Sequence, residues 1–185
     1  MLDRFMVHLK NTGFNPRDTS ELLERARILG KGSTIRDCRV SKKYIEFDVS
    51  VGHARMDILM DKLQVIAPLD HAKLVEETQM DKEQGVQQGV SYFNDERFWE
   101  AHEVLESVWK KSYEGEKELV QGIILIAAAL VHYQKDENNI CLSILKRAQE
   151  KLSRSSGMYH DIDVDEVRKK LDSMIESGKI TTFAI

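Results

Sequence analysis

Ile45-Glu46-Phe47-Asp48-Val49-Ser50-Val51 sets four apolar residues against three polar ones in strict alternation. That two-residue period predicts a strand with one apolar face. Upstream, Phe5, Val7 and Leu9 alternate with more polar neighbours and predict a second, half-buried strand. Between the two, Thr12-Gly13 and Asn15-Pro16 punctuate a loop. Asp18 and Glu21 have capping-box spacing. Leu22, Leu23, Ala26 and Leu29 then form one apolar helical stripe, which Gly30 and Gly32 bring to an end. A further strand runs through Ile35 and Val40, with a turn at Ser41-Lys42-Lys43. Downstream, Met56, Leu59, Met60 and Leu63 mark a second helix face. The apolar run Gln64 to Leu69 (QVIAPL) predicts a fourth strand, and Pro68 makes it an edge or a strand end.

The resulting order, β-α-β-β-α-β, is that of a ferredoxin-like split βαβ unit, two layers with one apolar face each. Residues 1–75 are therefore expected to form a small α+β ferredoxin-like domain. Asp70 to Gln79 is expected to be a helical linker.

From residue 81 every segment reads at helical period. Helices are expected to open near Lys82 and to run from about Glu96 to Lys111, from Glu118 to Tyr133 and from Ile140 to Leu152; a last one follows Asp163, is lined by Val164, Val167, Leu171, Met174 and Ile175, and ends at Ser177-Gly178. Gly115 reads as a turn, and Ser153 to Gly157 as a loop. Asp163 and Glu166 repeat the capping-box spacing. About five helices in residues 81–178 make an all-helical array. The tail at 179–185 (KITTFAI) is β-prone and suited to cover a sheet edge or a partner surface.

Composition agrees with this division. The chain has 185 residues, 42% of them apolar, and a net charge of −4. These values exclude disordered and collagen-like classes. Two cysteines, Cys38 and Cys141, are too few for a disulfide scaffold or a Cys-only zinc site. Residues 1–80 hold 13 basic and 12 acidic side chains, and residues 81–185 hold 14 and 19. Neither part is basic enough to make nucleic acid the leading partner. The N-terminus lacks the apolar run of a signal peptide. The apolar stretch Ile123 to Val131 is too short to span a bilayer and reads as a core helix. The expected location is cytoplasmic.

The densest chemistry lies in Phe98-Trp99-Glu100-Ala101-His102-Glu103-Val104-Leu105-Glu106, followed by Trp109-Lys110. At helical period Phe98, His102, Leu105, Glu106 and Trp109 share one broad face, so apolar and ionisable groups compete for the same surroundings. His102 and Glu106 are four apart and can meet. Buried ionisable groups need partners, either a direct hydrogen bond or a divalent metal ion. The candidate pocket comprises Glu100, His102, Glu103, Glu106, Trp109, Gln121 and His132, with His102, Glu106 and His132 as candidate metal ligands. His-Glu-x-x-Glu is not the zincin motif, which ends in histidine. A purely structural hydrogen-bonded network is the plainer reading of the same residues.

At this cluster the sequence resembles the DUF309 family, small helical proteins of unknown function. The resemblance runs over about residues 82–152. Phe93-Asn94, the Phe98 to Glu106 run, Trp109-Lys110, Gln121-Gly122-Ile123-Ile124, Ala127-Ala128-Ala129-Leu130 and His132-Tyr133 carry it. It implies a compact array with the Ala-His-Glu helix against the Gln-Gly helix, and it raises the standing of Glu100, His102, Glu103 and Glu106. Family members usually show Gly-Ala where this chain has Ile140-Cys141.

Two functions follow as expectations. One is a structural or small-ligand-binding protein with a polar His/Glu pocket in the helical domain, able to form a homo-oligomer. The other is a metal-dependent hydrolase or related metalloenzyme built on His102 and Glu106. Whether the cluster is catalytic stays open at the level of sequence.

Overall fold

The computed structural model describes residues 2–76 and 79–185. The chain divides into two units. One comprises Met1–Thr78 with Gln134–Asp136, the other Gln79–Tyr133 with Glu137–Ile185.

The first unit contains β1 (Asp3–Lys10), α1 (Thr19–Leu29), β2 (Thr34–Val40), β3 (Tyr44–Val51), α2 (Met56–Leu63) and β4 (Leu69–Leu74). Its strands form one antiparallel sheet in the order β2-β3-β1-β4. The apolar alternates do what their period predicts. Phe5, Val7, Leu9, Ile45, Phe47, Val49 and Val51 join Leu22 and Ala26 of α1 and Leu59, Met60 and Leu63 of α2 in one core. Gln134 belongs to this unit by its bonds: its carbonyl accepts from the Val40 N–H at 2.9 Å and from Thr19 Oγ1 at 3.2 Å.

Three local expectations are corrected. Asp18 makes no side-chain cap to α1 and instead accepts from the Asn15 N–H at 2.7 Å, closing the short turn before the helix. The fourth strand is not Gln64 to Leu69 but Leu69–Leu74, in a stretch expected to be a helical linker. Ile66 and Ala67 are buried as turn residues behind α2, so their apolarity reports burial and not extension. Glu77 and Thr78, within the expected linker, lie outside the described residues. Finally, the polar alternates of β1 and β3 are not a solvated face: His8, Glu46, Asp48 and Ser50 are buried.

The second unit is a helical array: α3 (Lys82–Asn94), α4 (Phe98–Lys111), α5 (Glu114–Tyr133), α6 (Asn138–Leu152) and α7 (Val164–Ser177). A two-residue hairpin pair, β5 (Met158–Tyr159) and β6 (Ile162–Asp163), sits before α7, in a stretch for which periodicity predicts no element. Asp81 and Gln84 form the capping box that starts α3. The expected helix start at Glu96 is delayed to Phe98, because Glu96 turns the chain with φ 59°. Gly115 is not a turn but lies in the first turn of α5, where Glu114 and Glu116 favour the positive end of the helix dipole.

Close packing sets the helix contacts. A Cβ on Gly89 would meet Leu105 Cδ2 at 2.7 Å, and one on Gly122 would meet Leu152 Cγ at 2.6 Å. Glycine at these positions lets α3 approach α4 and α5 approach α6. The tail forms no strand. Its Ile185 exchanges two hydrogen bonds with the Asn94 side chain, and Phe183 packs on Phe93 at 5.7 Å between ring centroids. No helix among the described residues is long and apolar enough to cross a membrane.

Candidate functional site

Helix α4 carries the densest signal, and its packing separates the candidate residues into two groups. The stripe turned to the core is Phe98, Ala101, Leu105 and Val108, spaced by three and four. His102, Glu106 and Trp109 fall beside that stripe and are partly exposed. The expected conflict of charge with burial is therefore avoided at His102 and Glu106, because the broad face divides into a dry stripe and a half-open flank.

On that flank the His102 ring lies between two carboxylates. Nδ1 is 3.3 Å from Glu103 Oε1, and Nε2 is 3.9 Å from Glu106 Oε1. The imidazole is 30% exposed and the Glu106 side chain 38%. Trp109 is covered on one face by the Lys117 ammonium, 5.0 Å from the ring centroid.

Glu100 differs from its neighbours. It is buried, and Arg97 donates to both its oxygens, through Nε and Nη2, each at 2.5 Å. Arg97 also lies 4.5 Å over the Tyr92 ring. Burial works against the Arg97 charge, but the hydrogen bonds and charge of Glu100 outweigh it and raise its pKa. Glu100 thus forms an ion pair that closes the start of α4.

Gln121 lies partly exposed on α5, beside the buried Gly122. His132, near the end of α5, is bonded through Nδ1 to Glu137 Oε2 at 2.5 Å. The two-residue connection Ser112–Tyr113 joins α4 to α5, and His132 lies in the last turn of α5. The structure thus brings His102 to Glu103 and Glu106, and gives His132 a different carboxylate.

Two further polar networks escaped the sequence reading. In the sheet unit, antiparallel register sets His8 opposite Glu46, and Glu46 opposite Arg39. His8 Nε2 lies 2.9 Å from Glu46 Oε2, while Arg39 Nε donates to Glu46 Oε1 and Arg39 Nη1 reaches Asp37 at 3.1 Å. Burial disfavours the Arg39 charge, yet Glu46 and Asp37 raise its pKa overall. Arg4 holds Asp48 through two bonds at 3.0 and 2.7 Å. The His71 ring stacks on His8 at 4.3 Å and bonds Asp70 at 2.7 Å. The register shift between His8 and Leu9 leaves Asp70 as the extra residue of a bulge, which accounts for adjacent residues reaching one another. The missed signal was charge complementarity among the polar alternates of three strands, legible only once their pairing is known.

In the helical unit, Glu116 accepts from Tyr159 Oη at 2.6 Å and from Lys82 Nζ at 3.0 Å. Burial alone would push the Glu116 carboxyl up, but these donors and the Tyr113 N–H hold it below the usual range. Burial and the same carboxylate push the Tyr159 phenol up. Cys141 is buried, its thiol pushed up to about 12 by desolvation, which leaves no thiolate for nucleophilic attack.

No curated protein matches the chain. Residues 86–144, from α3 into α6, match the family model DUF309, described as a domain of unknown function.

Proposed function

We propose that this protein binds a small polar ligand on the His/Glu flank of α4. The observation that carries the reading is the His102 ring, partly open to solvent with a carboxylate facing each of its nitrogens. A histidine kept for structure alone is better served by one closed hydrogen bond, as His8 has with Glu46. The flank lies inside the stretch that matches DUF309. Trp109 supplies an apolar wall at one end, and two carboxylates supply acceptors that suit a cation or a hydroxyl-rich molecule.

The sheet unit then serves as a scaffold of the ferredoxin-like type. Its element order and strand order support this: β1 and β2 both run antiparallel to β3 and therefore parallel to each other, with β3 between them, as a split βαβ unit requires.

Chemical-shift mapping on the isotope-labelled full chain tests the proposal, with a panel of amines, polyols and divalent metal chlorides. Saturable shifts centred on His102, Glu103, Glu106 and Trp109 are expected. Saturable shifts elsewhere only, or none, would overturn it.

A further inference from the structure

We propose that β4 is a dimerisation edge. The strand Leu69–Leu74 pairs antiparallel with the same strand of a second copy, about a two-fold axis at Ala72, and joins the two sheets into one.

The sheet has two edges, β2 and β4, and they are differently occupied. At β2 the Val40 N–H is taken by the Gln134 carbonyl at 2.9 Å, and the Ile35 and Arg36 carbonyls accept from Arg27 at 3.0 and 3.4 Å. At β4 the Val75 N–H donates to the Arg4 carbonyl and the Pro68 carbonyl accepts from the Lys10 N–H, each at 2.8 Å, so Pro68 and Val75 turn toward β1. Strand alternation then turns the backbone N–H and C=O of Ala72 and Leu74 away from β1. Both residues are exposed, Leu74 to 40%. An edge open in this way is a template for another strand.

The order Leu-Asp-His-Ala-Lys-Leu in β4 says which strand fits. Leu69 and Leu74 are five apart, and in a regular strand they would lie on opposite faces. The bulge takes Asp70 out of the alternation. Leu69, Ala72 and Leu74 therefore stand opposite Leu9, Val7 and Phe5 of β1, on the apolar face, while His71 and Lys73 stand opposite His8 and Met6 on the other. A two-fold axis through Ala72, normal to the sheet, sets Leu69 opposite Leu74 of the second copy on one face. On the other face it sets the Asp70-His71 corner opposite Lys73 of the second copy. Every residue meets one on its own face, as pairing requires. Ala72 meets itself at the axis, where its small side chain lets the strands close. A bulge and a lysine ordinarily deter edge pairing. In this register the two deterrents face each other as opposite charges, so the edge deters other strands and accepts its own copy. Two six-residue edges bury little area, which makes the dimer a weak one in exchange with the monomer.

Sedimentation velocity of the full chain at concentrations up to ~1 mM tests this. A reversible monomer–dimer equilibrium is expected, with the Ala72 and Leu74 amides gaining protection from hydrogen exchange as the concentration rises. Asp70→Lys sets lysine against lysine, and Lys73→Asp sets aspartate against aspartate. Each alone should weaken the dimer ~10-fold or more. Mixed together, the two variants should recover it, because their heterodimer restores an opposite-charge pair at both contacts. Ala72→Pro should abolish pairing; the N–H it removes points away from β1, so circular dichroism should match the unaltered chain. Ile58→Ser, at an exposed apolar residue of α2, is the control and should leave the dimer unchanged. A chain that stays monomeric throughout, a dimer indifferent to the β4 changes, or no recovery on mixing overturns the proposal.

Discussion

Each unit holds a histidine beside a glutamate, and the two pairs sit in opposite surroundings. His8 is fully buried in the sheet, and its glutamate is shared with a buried guanidinium. His102 is 30% exposed on a helix flank, and its nearer carboxylates stand at 3.3 and 3.9 Å. The same residue types therefore do different work. Buried, the pair cannot turn to water, so imidazole and carboxylate hold one another directly. On the flank, both partners are partly exposed, so water can satisfy either one.

The comparison breaks most visibly at Glu46. Glu46→Ala leaves Arg39 and His8 in the sheet without their shared acceptor. It should cost about 3–5 kcal/mol of stability in urea denaturation, the usual result of removing one partner from a buried ion pair. A loss below about 1 kcal/mol would mean that the network is not held as tightly as its burial indicates.

Packing comes next. Gly122→Ala places a Cβ against Leu152 and should cost about 1–3 kcal/mol by overpacking. The helical unit should report this loss first, for instance through hydrogen exchange of α5 and α6. Uniform loosening of both units would show that they unfold together.

Tyr159→Phe removes one donor from Glu116 and should cost about 1 kcal/mol at neutral pH. Its pH dependence has a definite sign. Glu116 is held below the usual carboxylate range in the folded chain, so its contribution is present above the unfolded value. That contribution is lost as the pH falls through the lowered folded value. The difference between the unaltered chain and a Tyr159→Phe, Lys82→Met double variant should therefore shrink in acid. A difference that stays constant between neutral pH and acid would contradict the role given to Glu116.

The smallest effect is expected at the flank. His102→Ala should change stability by no more than about 0.5 kcal/mol, since the side chain is not part of the core stripe. A melting temperature that drops sharply would turn the flank into a structural network and erase the contrast with His8.

Legibility in the sequence followed periodicity. The strand from Ile45 to Val51, the stripe Leu22 to Ala26 and the five helical segments all carry a clean repeat, and each appears in the fold. The fourth strand was misplaced because its alternates are Leu69, His71 and Lys73, without a continuous apolar face, while the truly apolar Ile66 and Ala67 pack as a turn. The Ala-His-Glu run located the candidate helix, but it overstated the width of its buried face. Glu100, grouped with His102 by proximity in sequence, proves to be the closed member, since Arg97 one turn earlier binds both its oxygens through Nε and Nη2.

The sequence by itself determined which segments are strands or helices in most of the chain, where the composition changes, and which turn of helix concentrates imidazole and carboxylate. These are short-range properties, set by residues within a turn or two of one another. Only the tertiary structure decided which ionisable groups are closed and which are open. Burial and cross-strand partnership are set by residues dozens of positions apart, such as His8 and Glu46. No local repeat records whether the space beside a carboxylate is filled by a guanidinium or by water.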